Sequence, residues 1–188
     1  MKIVWLIICA TTIALGGLCL AVYRRNSQNS PGQPLLNAQI IIIKSKRQLM
    51  LYEDNKLLKT YDVGLGFNPV SDKVKEGDGA TPEGEFYIFT KNERSAYYLS
   101  LGISYPNIED AERGLRDGLI TVEQYNQIVN AIQSRGTPPQ NTPLGGQIYI
   151  HGRGAQKDWT LGCVALDDNN MKELFEAVPV GTKVIIER

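Results

Sequence analysis

The chain has 188 residues, 43% of them hydrophobic and 21% charged, which suits one ordinary globular domain with a short appendage. The formal net charge is zero, and Lys2, Arg24 and Arg25 are the only charged residues before Lys44, so the rest of the chain is slightly acidic. This balance gives nucleic acid and other polyanions no electrostatic footing as partners.

Ile3 to Val22 is an almost unbroken apolar run without charge. About twenty helical residues at ~1.5 Å rise cover about 30 Å, the hydrocarbon core of a bilayer. The run is N-terminal and flanked by charges, which disfavours a buried core helix. A cleaved signal peptide carries a shorter apolar stretch that ends in a small-x-small site. No convincing site of that kind precedes Tyr23. Residues 1–25 are therefore expected to form an uncleaved membrane anchor, with a signal segment as the alternative. The flanking charges balance and leave its orientation open. Cys9 and Cys19 follow the bulky Ile8 and Leu18, unlike lipidation sites. Both fall in the membrane run, so Cys163 has no partner within the chain. A lone cysteine in an extracytoplasmic domain pairs with another chain, sits buried and inert, or reacts.

Residues 26–37 contain the polar, Pro- and Gly-bearing NSQNSPGQP stretch and read as a flexible linker. The folded domain is expected over residues 38–188. Gln39–Lys44 is a β-branched run, and Leu49–Tyr52 follows after a Lys-Ser-Lys-Arg turn, the pattern of a hairpin. Thr60–Gly66 reads as a third strand. A dense turn signal at Asp78–Gly84 precedes Glu85–Thr90, which alternates with aromatic residues as a strand does, and Tyr97–Ile103 is another candidate. The period then changes. Asn107–Arg116 is polar and helical in character, and Thr121-Val-Glu-Gln124 matches a capping box. Behind it Val122, Tyr125, Ile128, Val129 and Ile132 share one helical face. Gly136, Pro138 and Pro139 end that helix. Gln147–Ile150 is a short strand leading into His151. Asn169–Val178 is a helix that Asp167 or Asp168 can cap, and Lys183–Ile186 is a closing strand. The fold class is mainly β (α+β): a β-sandwich or mixed, mostly antiparallel sheet with a helical insertion and a late helix.

His151 is the only histidine of the chain, and Cys163 the only cysteine outside the apolar run. A thiol needs a neighbouring base or positive field to react near neutral pH, and His151 can supply one. Gly162 permits a tight turn before the cysteine, and such a turn can aim backbone N–H groups at an oxyanion. Taken alone, the same residues also fit a hydrogen-bonded strand-end histidine and a buried small thiol. A zinc site is poorly served: structural zinc takes about four protein ligands and catalytic zinc about three.

His151-Gly152 followed by Thr160-x-Gly162-Cys163 resembles the His-Gly … Ser/Thr-x-Gly-Cys signature of the L,D-transpeptidase (YkuD-type) catalytic domain. Gly77-Asp-Gly-Ala-Thr-Pro-Glu-Gly84 is similar to that family's Thr-Pro-x-Gly turn, and Val180-Gly-Thr-Lys-Val184 to its closing strand. The pieces occur in the family's order across residues 38–188. The resemblance implies a YkuD-like fold and an enzyme acting on peptidoglycan stem peptides, with no cofactor. Cys163 would be the nucleophile, His151 the proton acceptor and donor, and the Gly162 and Cys163 amides the oxyanion donors. Family members poise the histidine by backbone contacts, so no carboxylate is required. Thr160, Gly152, Arg153 and Trp159 are the candidate substrate-binding residues. Arg153 also reads as a solvated surface residue, and Trp159 as a core residue. Two positions depart from the pattern: Leu161 stands where the family carries His, and Ala165 where it carries Arg. The same thioester serves transfer to an amine or hydrolysis of a wall link. A non-catalytic wall-binding module is the third alternative. The implied location is the bacterial inner membrane, with the domain facing the periplasm or wall.

Overall fold

A computed structural model describes residues 34–188. The apolar run, Cys9, Cys19 and most of the expected linker lie outside the described residues. Among the described residues no helix is long and apolar enough to cross a membrane.

Alternation builds the sheet. In β1 (Ala38–Ile43) Ile40 and Ile42 are fully buried, and in β2 (Gln48–Glu53) Leu49 and Leu51 turn the same way. Period two puts every second side chain on one face, and each such aliphatic residue contributes about 1.5–3 kcal/mol on burial. The two strands pair antiparallel, joined by a short 3-10 turn whose last residue, Arg47, is left-handed. β3 (Lys56–Asp62) pairs with β2 and lies at the sheet edge, with Leu57 and Leu58 exposed and Tyr61 buried. β4 (Gly84–Ser95) and β5 (Tyr98–Ile103) form a bulged antiparallel pair. The short β6 (Tyr149–His151) and β7 (Val164–Ala165) run parallel. β8 (Lys183–Glu187) enters between β1 and β4, parallel to the first and antiparallel to the second.

These eight strands of the described residues form one mixed sheet in the order β3-β2-β1-β8-β4-β5-β6-β7. This is a single curled sheet, not a sandwich of two. The chain leaving β3 returns to the opposite end: Gly64 and Ala165 exchange both backbone hydrogen bonds, at 2.9 and 2.8 Å. A side chain at Gly64 would lie 2.3 Å from the Lys157 carbonyl oxygen, so the closure needs glycine there. The expected third strand at Thr60–Gly66 is therefore displaced. Its first part is β3, which begins earlier, and its last part bridges to the far edge.

Among the described residues there are three helices. α1 (Ile108–Arg116) and α2 (Val122–Gln133) each start with a capping box, Asn107 with Asp110 and Thr121 with Gln124. They pack Ala111, Ile120, Ile128 and Leu144 into a small separate core. Val122 does not join it and is 62% exposed, because it sits in the first turn beyond the reach of that cluster. α3 (Asp168–Ala177) buries Met171, Leu174 and Phe175 in the main core. Asp167 is its N-cap position but makes no side-chain cap bond. Instead Asp167 accepts from Ala155 and Gln156, and Asp168 from the Arg153 amide, so both carboxylates hold the loop after His151. Packing also begins before Ala38: Leu35 is buried and bonds through its amide to Ala177.

Candidate active site

A cavity of about 470 Å³ opens where β6, the loop before β7 and the long loop between β3 and β4 converge. His151, Cys163, Thr160 and Trp159 all line it. His151 arrives at the end of β6, fixed by pairing with Ser100 on β5 and Ala165 on β7. Its ring is buried, and Nδ1 lies 2.7 Å from the Gly152 carbonyl oxygen. A carbonyl can only accept, so the neutral ring carries its proton on Nδ1 and leaves Nε2 with a free lone pair. Tyr97 stacks on the imidazole at 4.7 Å, and Trp159 meets it edge-on at 5.6 Å. Trp159 is tied down in turn by its indole N–H, which donates to Gly154.

Cys163 follows a turn that Thr160 holds from within. The buried Thr160 hydroxyl donates to the Cys163 carbonyl at 2.7 Å and accepts from the Gly162 amide at 3.1 Å. Gly162 has φ +130°, and a Cβ there would stand 2.6 Å from the Ala80 carbonyl oxygen. Both conformation and space require glycine. The thiol donates to the Gln147 carbonyl at 3.5 Å and accepts from the Tyr149 amide at 3.4 Å. The Cys163 amide itself has no acceptor among the described residues. The Gly162 amide, expected as an oxyanion donor, is occupied by Thr160 in this structure.

Burial lowers the His151 pKa below its ordinary 6.5, opposed by the Gly152 carbonyl. Burial raises that of Cys163, opposed by the Tyr149 amide and the nearby charge of Lys73. Both shifts favour the uncharged forms, so the resting pair is thiol and neutral imidazole. No hydrogen bond joins them among the described residues. An imidazole with a free Nε2 and a thiol on one cavity wall can exchange a proton when a ligand draws them together.

The remaining candidates fall elsewhere. Gly152 and Arg153 are not part of the cavity lining. Gly152 packs against Asp168 and Tyr97, where a Cβ would be 2.5 Å from the carboxylate, and Arg153 is exposed with a left-handed backbone. Leu161 is 73% exposed at the cavity. Ala165 is fully buried in β7. Asp158 pairs with Arg47 and accepts the Leu65 amide, bracing the loop that carries Trp159 and Thr160. None of the helical insertion at 107–135 lines the cavity; Gln140 and Gly145–Gln147, which follow it, do. Sequence reasoning missed Lys73, Glu76, Tyr97 and Gln147, all of which line the cavity. Lys73 is buried and bonds to Asp78, whose carboxylate also takes the amides of Val74, Lys75 and Ala80. The turn signal around Asp78 was readable; the burial of a lysine five residues before it was not.

Among known proteins, residues 37–186 match the family of the L,D-transpeptidase catalytic domain, YkuD. The chain is 29% identical over 161 residues to YqjB of Bacillus subtilis (strain 168), an L,D-transpeptidase by name, covering 83% of this chain and 72% of that one. Its fold is similar to that of the helical cell shape determining protein Pgp2 from Campylobacter jejuni, with TM-score 0.55 and 25% identity over 80% of this chain. It is also similar in fold to Bd1075 of Bdellovibrio bacteriovorus, with TM-score 0.52 and 20% identity over 80% of this chain. The chain spans about half the length of these two structures, 47% in each case.

Proposed function

The chain belongs to the L,D-transpeptidase catalytic-domain family, whose members crosslink peptidoglycan, and on that premise we propose that it is a cysteine acyltransferase acting on stem peptides. His151 Nε2 takes the proton of the Cys163 thiol as sulfur attacks the carbonyl carbon of the diaminopimelate residue in a donor tetrapeptide. The oxyanion that forms faces the unpartnered Cys163 amide. The imidazolium returns its proton to the departing nitrogen, the C–N bond breaks, and D-alanine leaves. A thioester remains. An amine of a second stem attacks it, passes its proton to His151, and the thiol is restored with a new amide bond. Thr160 keeps the turn rigid, and Tyr97 and Trp159 keep the imidazole in place and water out. The observation that carries this reading is the shared cavity of His151 and Cys163, with Nδ1 fixed and Nε2 free.

Hydrolysis of the same thioester is the second reading, favoured by Ala165, since that position has no arginine to hold an acceptor. Water then replaces the amine. The whole protein's setting, a wall-facing domain anchored by residues 1–25 with an effect on cell shape, is part of the proposal. Mass spectrometry of sacculi treated with the purified protein separates the readings. New crosslinked dimers mean transfer, and lost dimers or released peptides mean hydrolysis. No change, together with no Cys163-dependent labelling by a carbapenem-type probe, refutes both.

A further inference from the structure

Among the described residues two lysines are almost wholly buried, and they differ in one respect. The Lys44 ammonium donates to three oxygens: the Ser71 and Thr81 carbonyls and the Glu83 carboxylate. An ammonium has three donors, so Lys44 is satisfied and structural. Lys73, 2% exposed, bonds to only two oxygens, the Lys75 carbonyl at 3.0 Å and Asp78 at 2.9 Å. Among the described residues its third donor has no oxygen acceptor; the Tyr105 ring stands at 5.9 Å, the outer limit of a cation–π contact. Lys73 lines the same cavity as Cys163 and His151 and is close enough to act on the thiol's charge. Its stem runs beside Gly145, where a Cβ would come within 3.4 Å of the lysine Cε, so glycine leaves the ammonium room at the cavity wall. A buried ammonium short of one acceptor, beside an empty volume, is matched by an anion from outside.

We infer that Lys73 is a substrate-binding residue that takes a carboxylate of the stem peptide through this third donor. The inference rests on the acyl-transfer reading of the site. A donor tetrapeptide carries two free carboxylates near the scissile bond: that of the C-terminal residue, which departs, and that of the diaminopimelate side chain. Either supplies the same chemistry. If it is the terminal one, the site selects peptides that end one residue past the attacked carbonyl, since a longer or amidated stem lacks the anion there.

The test measures kcat/KM of the full chain on four stems: the tetrapeptide acid, its C-terminal amide, and the same pair with lysine in place of diaminopimelate. Wild type is expected to prefer acid over amide, or diaminopimelate over lysine, by about 10- to 100-fold, the worth of one charge-assisted hydrogen bond. Lys73→Met is expected to abolish that preference. Because a ratio is read within one variant, any effect of Lys73 on thiol reactivity cancels. Asp78 keeps three backbone amides in the variant, so the loop has other anchors. Lys73→Arg, which retains the charge, should restore the preference. Which ratio collapses identifies the carboxylate. A wild type that treats all four stems alike, or a Lys73→Met variant that lowers all four equally, overturns the inference and leaves the proposed function standing. A wild type inert on every stem overturns both.

Discussion

Thr160→Val isolates what one hydroxyl does for the nucleophile. Valine keeps the shape of the side chain and removes the oxygen that bridges Gly162 and Cys163. The buried Gly162 amide then loses its acceptor, a loss of about 1–3 kcal/mol. The Cys163 carbonyl belongs to a half-buried residue, so its loss is smaller, about 0.5–1.5 kcal/mol. Together they come to about 1.5–4.5 kcal/mol, which lowers Tm by roughly 3–18 °C in a domain of this size. The same change loosens the turn that aims the thiol, and a displacement on the order of 1 Å costs about 100-fold in rate. The assays are thermal unfolding and stopped-flow acylation by a carbapenem-type probe. Thr160→Ser, which keeps the hydroxyl, should stay close to wild type in both. A valine variant with unchanged Tm and an unchanged acylation rate would refute the assignment of Thr160 as the clamp of this turn.

Other expectations follow from the same geometry. His151 titrates below 6.5, so the neutral base is present at pH 7 and is lost only as the pH falls beneath that value; the acid limb of kcat/KM should have its midpoint under 6.5, and a midpoint above it contradicts a buried neutral imidazole. Cys163 is raised above 9.0, so its alkylation by iodoacetamide should be slow at pH 7 and rise with pH to a midpoint above 9.0; fast alkylation at neutral pH would instead mean a resting thiolate. Gly162→Ala forces a side chain onto the Ala80 carbonyl at a left-handed φ, and about 1–3 kcal/mol of strain should appear as lost stability together with lost acylation. Lys44→Met strands the Glu83 carboxylate and releases the loop that carries Lys73, so denaturant titration should show a loss of about 3–5 kcal/mol, and retained stability would show that the loop has another anchor.

Local rules made much of this molecule readable. The isoleucines of β1 alternate, and Ile40 and Ile42 are fully buried. Thr121 and Gln124 spelled a capping box and form one. The ordered motifs brought His151, Thr160, Trp159 and Cys163 to one cavity, because a strand end and the following loop need little more than chain connectivity to meet. What stayed hidden depends on distant partners. Asp167 and Asp168 look like helix caps, yet the nearby loop amides compete for them. Lys73 lies in a polar stretch like any surface lysine, and only the approach of Asp78 and Gly145 makes a buried position tolerable. The closure through Gly64 has no local signature, since a glycine after a strand reads equally as a turn.

The position of β8 bears on how the protein comes to be. The last strand of the chain sits in the middle of the sheet, between β1 and β4. Until it arrives, β1 and β4 each present an unpaired edge, a template for association with other chains. The pairing of Gln39 with Lys183 spans nearly the whole domain, which makes the closing step slow by topology. The halves that meet around Cys163 are joined at two places, by β8 between β1 and β4 and by Gly64 with Ala165. A chain cut before Lys183 would keep Cys163 but lose the strand that joins β1 to β4, and with it the sheet that backs the cavity.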